Sequence, residues 1–174
     1  ALAPAWNVAN NWRIREPVEH RRPLPTALAK ALVAYGMLTG ERLFAGCLVL
    51  AFFGPGRIGE VLRAKRKDSI LPSDVLFEPK SLVLLSIKNP KSKTRGGAPT
   101  QHLSVRCLLL AKLLSSIFLK LEPKDALFPL SPSAFRNRWD KALVRIGVPK
   151  GMYLPGGIRG GGAVFMYFAG AQIQ

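Results

Sequence analysis

The sequence is poor in the residue types that build disulfide frameworks and metal centres. It contains two cysteines and two histidines among 174 residues. Cys47 and Cys107 both lie inside apolar runs, so we expect buried free thiols rather than a cross-linked secreted framework. With only His20 and His102, a metal-dependent nuclease has few ligands from which to build a site. The composition therefore argues against a metal-dependent nuclease.

The sequence also has no hydrophobic run long enough to cross a bilayer. Its longest apolar stretch, residues 43–54, is about a dozen residues, whereas a spanning helix needs roughly 20. The first 17 residues include two tryptophans and charges of both signs, unlike the uninterrupted apolar segment of a signal peptide. These features favour an intracellular protein with no membrane partner.

Acidic residues are scarce relative to basic ones. There are 10 aspartates and glutamates against 26 lysines and arginines, which gives a formal net charge of +16. Because 48% of the residues are hydrophobic, the chain can form a core and is not disordered by composition. A folded protein with this surplus of positive charge indicates a polyanionic partner such as nucleic acid. A basic structural component of a ribonucleoprotein has the same composition and stays open as an alternative.

Hydrophobic periodicity predicts a mainly α-helical fold with a small antiparallel β-hairpin or sheet inserted after the third helix. Thr26 is expected to cap the first helix, and Ser131 or Ser133 the fifth. Trp139 is expected in the core, and His102 is expected to be a strand residue rather than a catalyst. Helices are predicted over residues 26–40, 41–54, 57–65, 106–121, 131–148 and 153–171, and a hairpin over residues 81–105.

Two arginines are predicted at helix starts beside dense apolar segments. Arg57 follows the run 43–54 and the helix-breaking sequence Gly-Pro-Gly at 54–56, and Arg159 opens the last helix. A positive charge gains nothing from the positive end of a helix dipole, so another interaction must favour these positions. A phosphate held by both guanidiniums would do so. The alternative for Arg57 and Glu60 is an i,i+3 surface pair worth about 0.2–0.5 kcal/mol.

Three segments, in this order, resemble the catalytic domain of tyrosine recombinases, the phage-integrase-like DNA breaking-rejoining enzymes. They are RIGEVLRAKRKD at 57–68, KNPKSKTRG at 88–96 on the predicted hairpin, and LPGGIRGGGAVFMYFAG at 154–170. Arg57, Glu60, Leu62 and Asp68 match the first box of the family. Arg159 matches the arginine of the second box. The resemblance implies the same mainly helical fold with a small inserted sheet.

The resemblance also implies roles for individual residues. Arg57, Lys91 and Arg159 are the expected catalytic residues, with Lys93 as the alternative lysine, and Glu60 is expected to orient a guanidinium. The expected reaction breaks and rejoins DNA strands through a 3′-phosphotyrosyl intermediate, without metal or cofactor. The expected partner is double-stranded DNA, with self-association on it, in the nucleus or the bacterial nucleoid. Contacts to the DNA backbone are assigned to Arg63, Lys65, Arg66, Arg95, Arg136 and Arg138.

Two departures from the family pattern keep a second function open. Gly156 and Gly160 stand where the second box commonly has histidines. Tyr167 lies only two turns beyond Arg159, so it does not match the late nucleophilic tyrosine, and we expect residues 22–174 to form a catalytic domain truncated before that tyrosine. Residues 1–21 are expected to be a linker from a possible N-terminal DNA-binding domain. A non-catalytic DNA-binding descendant of a recombinase is the alternative to an enzyme.

Overall fold

The computed structural model describes residues 21–75, 81–88, 90 and 98–170. Within these ranges six α-helices surround one core, and a three-stranded antiparallel sheet packs beside them. This confirms the predicted mainly helical fold class with a small sheet. The helices are α1 (Thr26–Leu38), α2 (Arg42–Phe53), α3 (Ile58–Val61), α4 (Leu108–Phe118), α5 (Pro132–Arg145) and α6 (Ile158–Phe168), and the strands are β1 (Ser69–Ile70), β2 (Leu82–Lys88) and β3 (Thr100–Arg106).

Helix α2 forms the centre of the core. Residues 44–52 are all buried, because this helix is apolar on every face and must be covered on every face. It packs against α1, α4 and α6 and also touches β3. The predicted break after α2 is confirmed: the chain turns at residues 54–56, and the Gly56 N–H donates to the Ala51 carbonyl at 3.0 Å.

The sheet places β2 between β1 and β3. Leu85 lies opposite Ser69 on one side and Leu103 on the other. Strand β2 buries Val83, Leu85 and Ile87, the period-2 alternation of a strand with one face on the core. The predicted pairing of β2 with β3 is confirmed. The two-residue strand β1 was not predicted, because two residues are too few to show a period.

Helix α5 begins as the sequence predicts. The Ser131 hydroxyl accepts a hydrogen bond from the Ala134 N–H at 3.1 Å, so Ser131 and not Ser133 is the cap. Trp139 is fully buried, and its Nε1–H donates to the Tyr153 carbonyl at 2.9 Å. This bond satisfies the polar edge of the indole and ties α5 to the segment that leads into α6.

Three local predictions are wrong. Thr26 is the first helical residue, and Pro25 occupies the cap position without a side-chain hydrogen bond. The helix expected to run to Lys65 is a single turn that ends at Val61. Cys107 is exposed, whereas Cys47 is buried as expected, and that burial raises the pKa of the Cys47 thiol. Cys107 is exposed because it occupies the cap position of α4, with extended backbone, between β3 and the helix.

The start of α6 lies directly against the backbone of two other segments. A Cβ at Gly161 would overlap the Leu24 carbonyl oxygen, and a Cβ at Gly162 would overlap the Phe52 carbonyl oxygen. These two glycines therefore allow α6 to approach closer than any side chain would permit. Gly160 differs from them, since its Cβ would meet only Pro23 atoms at 3.8–3.9 Å, an ordinary contact.

An open apolar groove of about 1220 Å³ lies between α1, α4, α6 and β3. Lys30 and Arg106 contribute its charged side chains. Cys107 also lines it, so the exposed thiol stands beside apolar side chains. The groove is completed mainly by Val33, Met37, Phe53, Leu109, Leu110, Leu113 and Phe165. Among the described helices, none combines the length and apolarity needed to cross a membrane.

The glycines of α6 give a testable difference in stability. We expect Gly161→Ala and Gly162→Ala each to lower the free energy of unfolding by about 1–3 kcal/mol, the usual cost of overpacking. Gly160→Ala should raise it by up to about 1 kcal/mol, because alanine favours helix and nothing obstructs its methyl group. Urea denaturation followed by the fluorescence of buried Trp139 measures all three.

Gly160→Ala is the matched control, since it makes the same chemical change in the same turn of α6. Equal destabilisation by all three substitutions would show that the close backbone contacts are not the reason for the glycines.

Candidate functional site

Arg57 lies at the point where the chain leaves the core. It is the cap residue of α3, with extended backbone (ψ 123°), and it follows the turn that ends α2. A Cβ at Gly56 would overlap the Leu103 side chain on β3, so the turn is pressed against the sheet. The backbone that carries Arg57 is therefore fixed by the core on one side and by β3 on the other.

The Arg57 guanidinium is held by a buried carboxylate. Its Nη1 donates to Glu60 Oε1 at 3.1 Å, and the Glu60 side chain is only 6% exposed, against 35% for Arg57. A buried carboxylate is costly unless it is paired, so this contact is stronger than the surface pair considered from the sequence. The expected contact between Glu60 and the guanidinium is present. A guanidinium has five N–H donors, and within the described residues Arg57 gives only this bond to the protein.

Arg159 is the second residue of α6 and is exposed. In the part of the chain that the structure describes, it makes no ion pair and no side-chain hydrogen bond. At 3.6 residues per turn, its side chain leaves the helix about 60° from the direction of Gly162, which contacts the last turn of α2 at Phe52. Arg57 comes five residues after Phe52. Both arginines thus belong to elements that meet at this end of α2, and their convergence on one phosphate stays a prediction.

The cationic residues assigned to the hairpin tip cannot be placed. Lys91, Lys93 and Arg95 lie outside the described residues. The strands that lead to that tip are described, and the described cation nearest to it in the sequence is Lys88, whose Nζ lies 3.2 Å from Asp68 Oδ1. The choice between Lys91 and Lys93 therefore remains as the sequence left it.

The basic segment after α3 contains both free and paired cations. Arg63 and Lys65 are exposed. Arg66 donates to both carboxylate oxygens of Asp74, at 2.7 and 2.9 Å, and its side chain is only 12% exposed. Arg63 and Lys65 fit the predicted role in contacting DNA. Arg66 joins the segment to the 3₁₀ turn at residues 72–74, so its assignment to DNA, which stays a prediction, would require breaking this pair.

The two arginines assigned to DNA on α5 are also paired within the protein. Arg136 Nε donates to both carboxylate oxygens of Asp140 at 3.0 Å. Arg138 Nε donates to Glu41 at 2.7 Å, and its Cζ lies 5.9 Å from the centre of the Phe128 ring. Arg138 thus fastens α5 to the start of α2. The predicted DNA contacts of both arginines compete with these bonds.

Other cations on the same helix are exposed. Lys141 and Arg145 lie on α5, and Lys150 follows it in the turn toward α6; all three are exposed. Together with Asn137, Val144 and Asp140, whose carboxylate is paired with Arg136, they line an open groove of about 330 Å³, called here the basic groove. The sequence showed Lys141 and Arg145 on the helix, but only the fold reveals that the chain reverses after Gly147 and brings Lys150 beside them.

Comparison with models of known protein families and with curated proteins found no match for this chain. Within the described ranges, no group of three or more His, Cys, Asp or Glu side chains could hold a metal ion.

The pair between Arg66 and Asp74 predicts a pH-dependent contribution to stability. Burial alone would raise the pKa of Asp74, but hydrogen bonds from Arg66 and the Leu71 N–H, together with the Arg66 charge, outweigh it and lower that pKa. A lowered pKa adds stability above the ordinary aspartate value of about 3.9, and this contribution is lost as the pH falls through the folded value. Asp74→Asn should therefore lower the free energy of unfolding at pH 7, and the difference from the wild type should shrink below about pH 4.

Glu122→Gln is the matched control, because it removes an exposed carboxylate that makes no side-chain contact among the described residues. Its effect on urea denaturation should stay within about 0.5 kcal/mol at every pH. A difference between wild type and Asp74→Asn that does not change between pH 7 and pH 3 would contradict the assignment.

Proposed function

We propose that this chain binds duplex DNA along its phosphates and supplies the phosphate-stabilising part of tyrosine-recombinase-like strand breakage and rejoining. The proposal depends on one observation: just after the end of the central helix, the Arg57 guanidinium is held by the buried Glu60 carboxylate. The distance from Nη1 to Oε1 is 3.1 Å. The order of the three recombinase-like segments supports the same function.

The reaction needs hydrogen-bond donors that are already fixed where negative charge develops. When a tyrosine oxygen attacks a phosphodiester, charge gathers on the non-bridging oxygens of the phosphorus. Guanidiniums that are already oriented stabilise this charge, and removing one such donor typically slows a reaction by ~10²–10³-fold. The arrangement of Arg57 favours this role, because the Glu60 bond removes the orientational freedom that a free arginine would lose on binding. Arg159 is the proposed second donor.

The leaving oxygen also needs a proton, and the expected donor is Lys91 or Lys93. The attack joins the tyrosine to the 3′-phosphate and releases a 5′-hydroxyl. Attack by a 5′-hydroxyl on that linkage reverses the reaction and rejoins the DNA, so the bond energy is conserved in the covalent intermediate. In this scheme the tyrosine attacks as its phenolate, with its proton passing to water. Two guanidiniums balance the charge on the non-bridging oxygens and a lysine supplies the proton of the leaving oxygen, so the proposed reaction calls for no metal.

Binding to DNA is supported by the distribution of free charge. The chain carries a net charge of +16, and exposed cations line the basic groove on one side of α5. Lysine and arginine side chains that contact phosphates release condensed counterions, which makes binding strongly dependent on salt. The proposal therefore includes duplex DNA as the partner and assigns part of the contact to this groove.

One observation favours a second candidate, a DNA-binding protein that has lost the strand-breaking reaction. Gly156 provides no side chain where the second box commonly has a histidine. Gly157, Gly161 and Gly162 are explained by close backbone packing, so they do not themselves indicate a ligand. Such a protein would still bind DNA through the same surface but would not break or rejoin strands.

Substitutions that each remove one positive charge test the DNA surface. We expect Lys141→Ala and Lys150→Ala each to weaken binding to a duplex of random sequence and to make the log–log salt slope shallower by about 0.9, the contribution of one phosphate. Lys88→Gln removes the same charge from a lysine that is paired with Asp68 and is not assigned to DNA, so its slope should match the wild type. Fluorescence anisotropy between 50 and 300 mM salt measures each slope.

If Lys88→Gln changes the slope as much as Lys150→Ala, only the net charge matters and the basic groove has no special role. A wild-type slope near zero, or preference for single-stranded RNA, would support the ribonucleoprotein alternative.

An activated DNA ester tests the chemistry in this chain. In a duplex whose 3′-phosphate carries a 4-nitrophenyl group, an added phenol can attack phosphorus while 4-nitrophenolate leaves without needing a proton. We expect the chain to accelerate this release, and Arg57→Ala or Arg159→Ala to reduce it by about 10²–10³-fold. Absorbance of 4-nitrophenolate measures the rate, and anisotropy measures DNA affinity in parallel.

Lys67→Ala is the control, since it removes an exposed cation close to Arg57 in the sequence that is not assigned to DNA. Normal DNA binding without any acceleration by the wild-type chain would favour the non-catalytic candidate.

A further inference from the structure

The side chain of Arg21 lies across Gly156. A Cβ built on Gly156 would overlap Arg21 Nη1, with the Cδ and Cζ atoms at 2.7 and 2.8 Å. The backbone at Gly156 does not have a positive φ, so its conformation does not require glycine. At this position, the space that a side chain would occupy is filled by the guanidinium of Arg21.

The backbone that follows Arg21 holds it in this place. The Leu24 N–H donates to the Gly157 carbonyl at 3.1 Å, and the Leu24 side chain is buried. The carbonyl of Arg22 packs against Gly157 so closely that a Cβ there would overlap it. Residues 22–24 are therefore fixed along the start of α6, and Arg21 is one residue away from this contact.

The position of Gly156 brings Arg21 near Arg159. Gly156 lies in the 3₁₀ turn at residues 155–157, which runs directly into α6. Residues three apart in such turns are neighbours, with Cβ atoms about 5–6 Å apart. The Arg21 guanidinium thus stands about one turn before the Arg159 side chain, on the same side of the helix.

Two exposed guanidiniums at this spacing repel each other unless an anion lies between them. In the ranges that the structure covers, no carboxylate accepts a hydrogen bond from either arginine. A phosphodiester oxygen pair matches the planar fork of a guanidinium.

We propose that Arg21 provides the phosphate site with the side chain that Gly156 lacks, as a third guanidinium donor in addition to Arg57 and Arg159. This inference rests on the proposed function and deepens it, because it explains how a site with glycine at position 156 keeps a full set of donors. It also removes the main argument for the non-catalytic candidate. Arg21 was not nominated from the sequence, because it lies about 135 residues before Gly156 and only the fold brings them together.

The test uses the activated DNA ester and the wild-type chain as reference. Arg21→Ala should slow 4-nitrophenolate release by about 10- to 100-fold, the factor expected for a hydrogen bond to a charged group. Gly156→Ala should cause a similar loss, because its methyl group displaces Arg21 without removing it. The double variant should be no slower than either single variant, since both changes remove one interaction.

Two further variants separate this role from general charge and structure. Arg22→Ala removes an exposed arginine next in the chain and should leave the rate within about twofold. Arg21→Ala/Gly156→His should recover part of the rate, because an imidazole at position 156 can donate to the same phosphate. Urea denaturation should show little change for Gly156→Ala, because the far end of a flexible side chain can move aside.

The outcomes distinguish this inference from the proposed function. If the wild type accelerates release and Arg21→Ala behaves like Arg22→Ala, the role of Arg21 is overturned and the proposed function stands. If the wild type binds DNA without accelerating release, duplex affinity decides: Arg21→Ala and Gly156→Ala must both weaken binding more than Arg22→Ala does, or the inference fails. If the wild type does not bind DNA, both proposals fail together.

Discussion

The rest of the structure depends on the contact between the first turns of α6 and the backbone of two distant segments. Gly161 meets the Leu24 carbonyl and Gly162 meets the Phe52 carbonyl at distances that exclude any side chain. One contact fixes the approach of the N-terminal segment, and the other fixes α6 on the end of the central helix. Because both lie within one turn of Arg159, a change in either would move that arginine relative to Arg57. The position of the backbone at Arg159 relative to Arg57 is therefore set by main-chain packing, and the bond to Glu60 then fixes the direction of the Arg57 guanidinium.

The electrostatics of the site divide into a local and a long-range part. Arg57 and Glu60 form a pair with no net charge, so their attraction for a distant polyanion is small, and their value lies in the fixed direction of the remaining donors. Long-range attraction must come from exposed cations such as Lys141, Arg145 and Lys150, which pair with no carboxylate among the described residues. If the proposed function holds, affinity and chemistry can therefore change independently in this protein. A variant of the basic groove would alter how often DNA binds, and a variant of Arg57 would alter the reaction of the bound DNA.

Periodicity and breaking residues in the sequence were enough to predict the fold class, the central helix, the hairpin and the cap at Ser131, because these are local patterns. The contact between Glu60 and Arg57 could be predicted for the same reason, since the residues are one turn apart. Local sequence patterns were not enough to predict all the internal ion pairs of Arg66, Arg136 and Arg138. Arg138 meets Glu41 from 97 positions away, and only tertiary packing brings them together. The exposure of Cys107 was missed because an apolar run conceals the boundary between a strand and a helix.

The two cysteines differ enough to be told apart by a reagent. Cys47 is buried, and its raised pKa keeps the thiol protonated and inert. Cys107 is exposed and lines the apolar groove between α1, α4 and α6. A maleimide dye added to the native protein therefore attaches at one position without any mutagenesis. Its emission reports the polarity of that groove, so the natural sequence already provides a reporter of any change in the surroundings of this face.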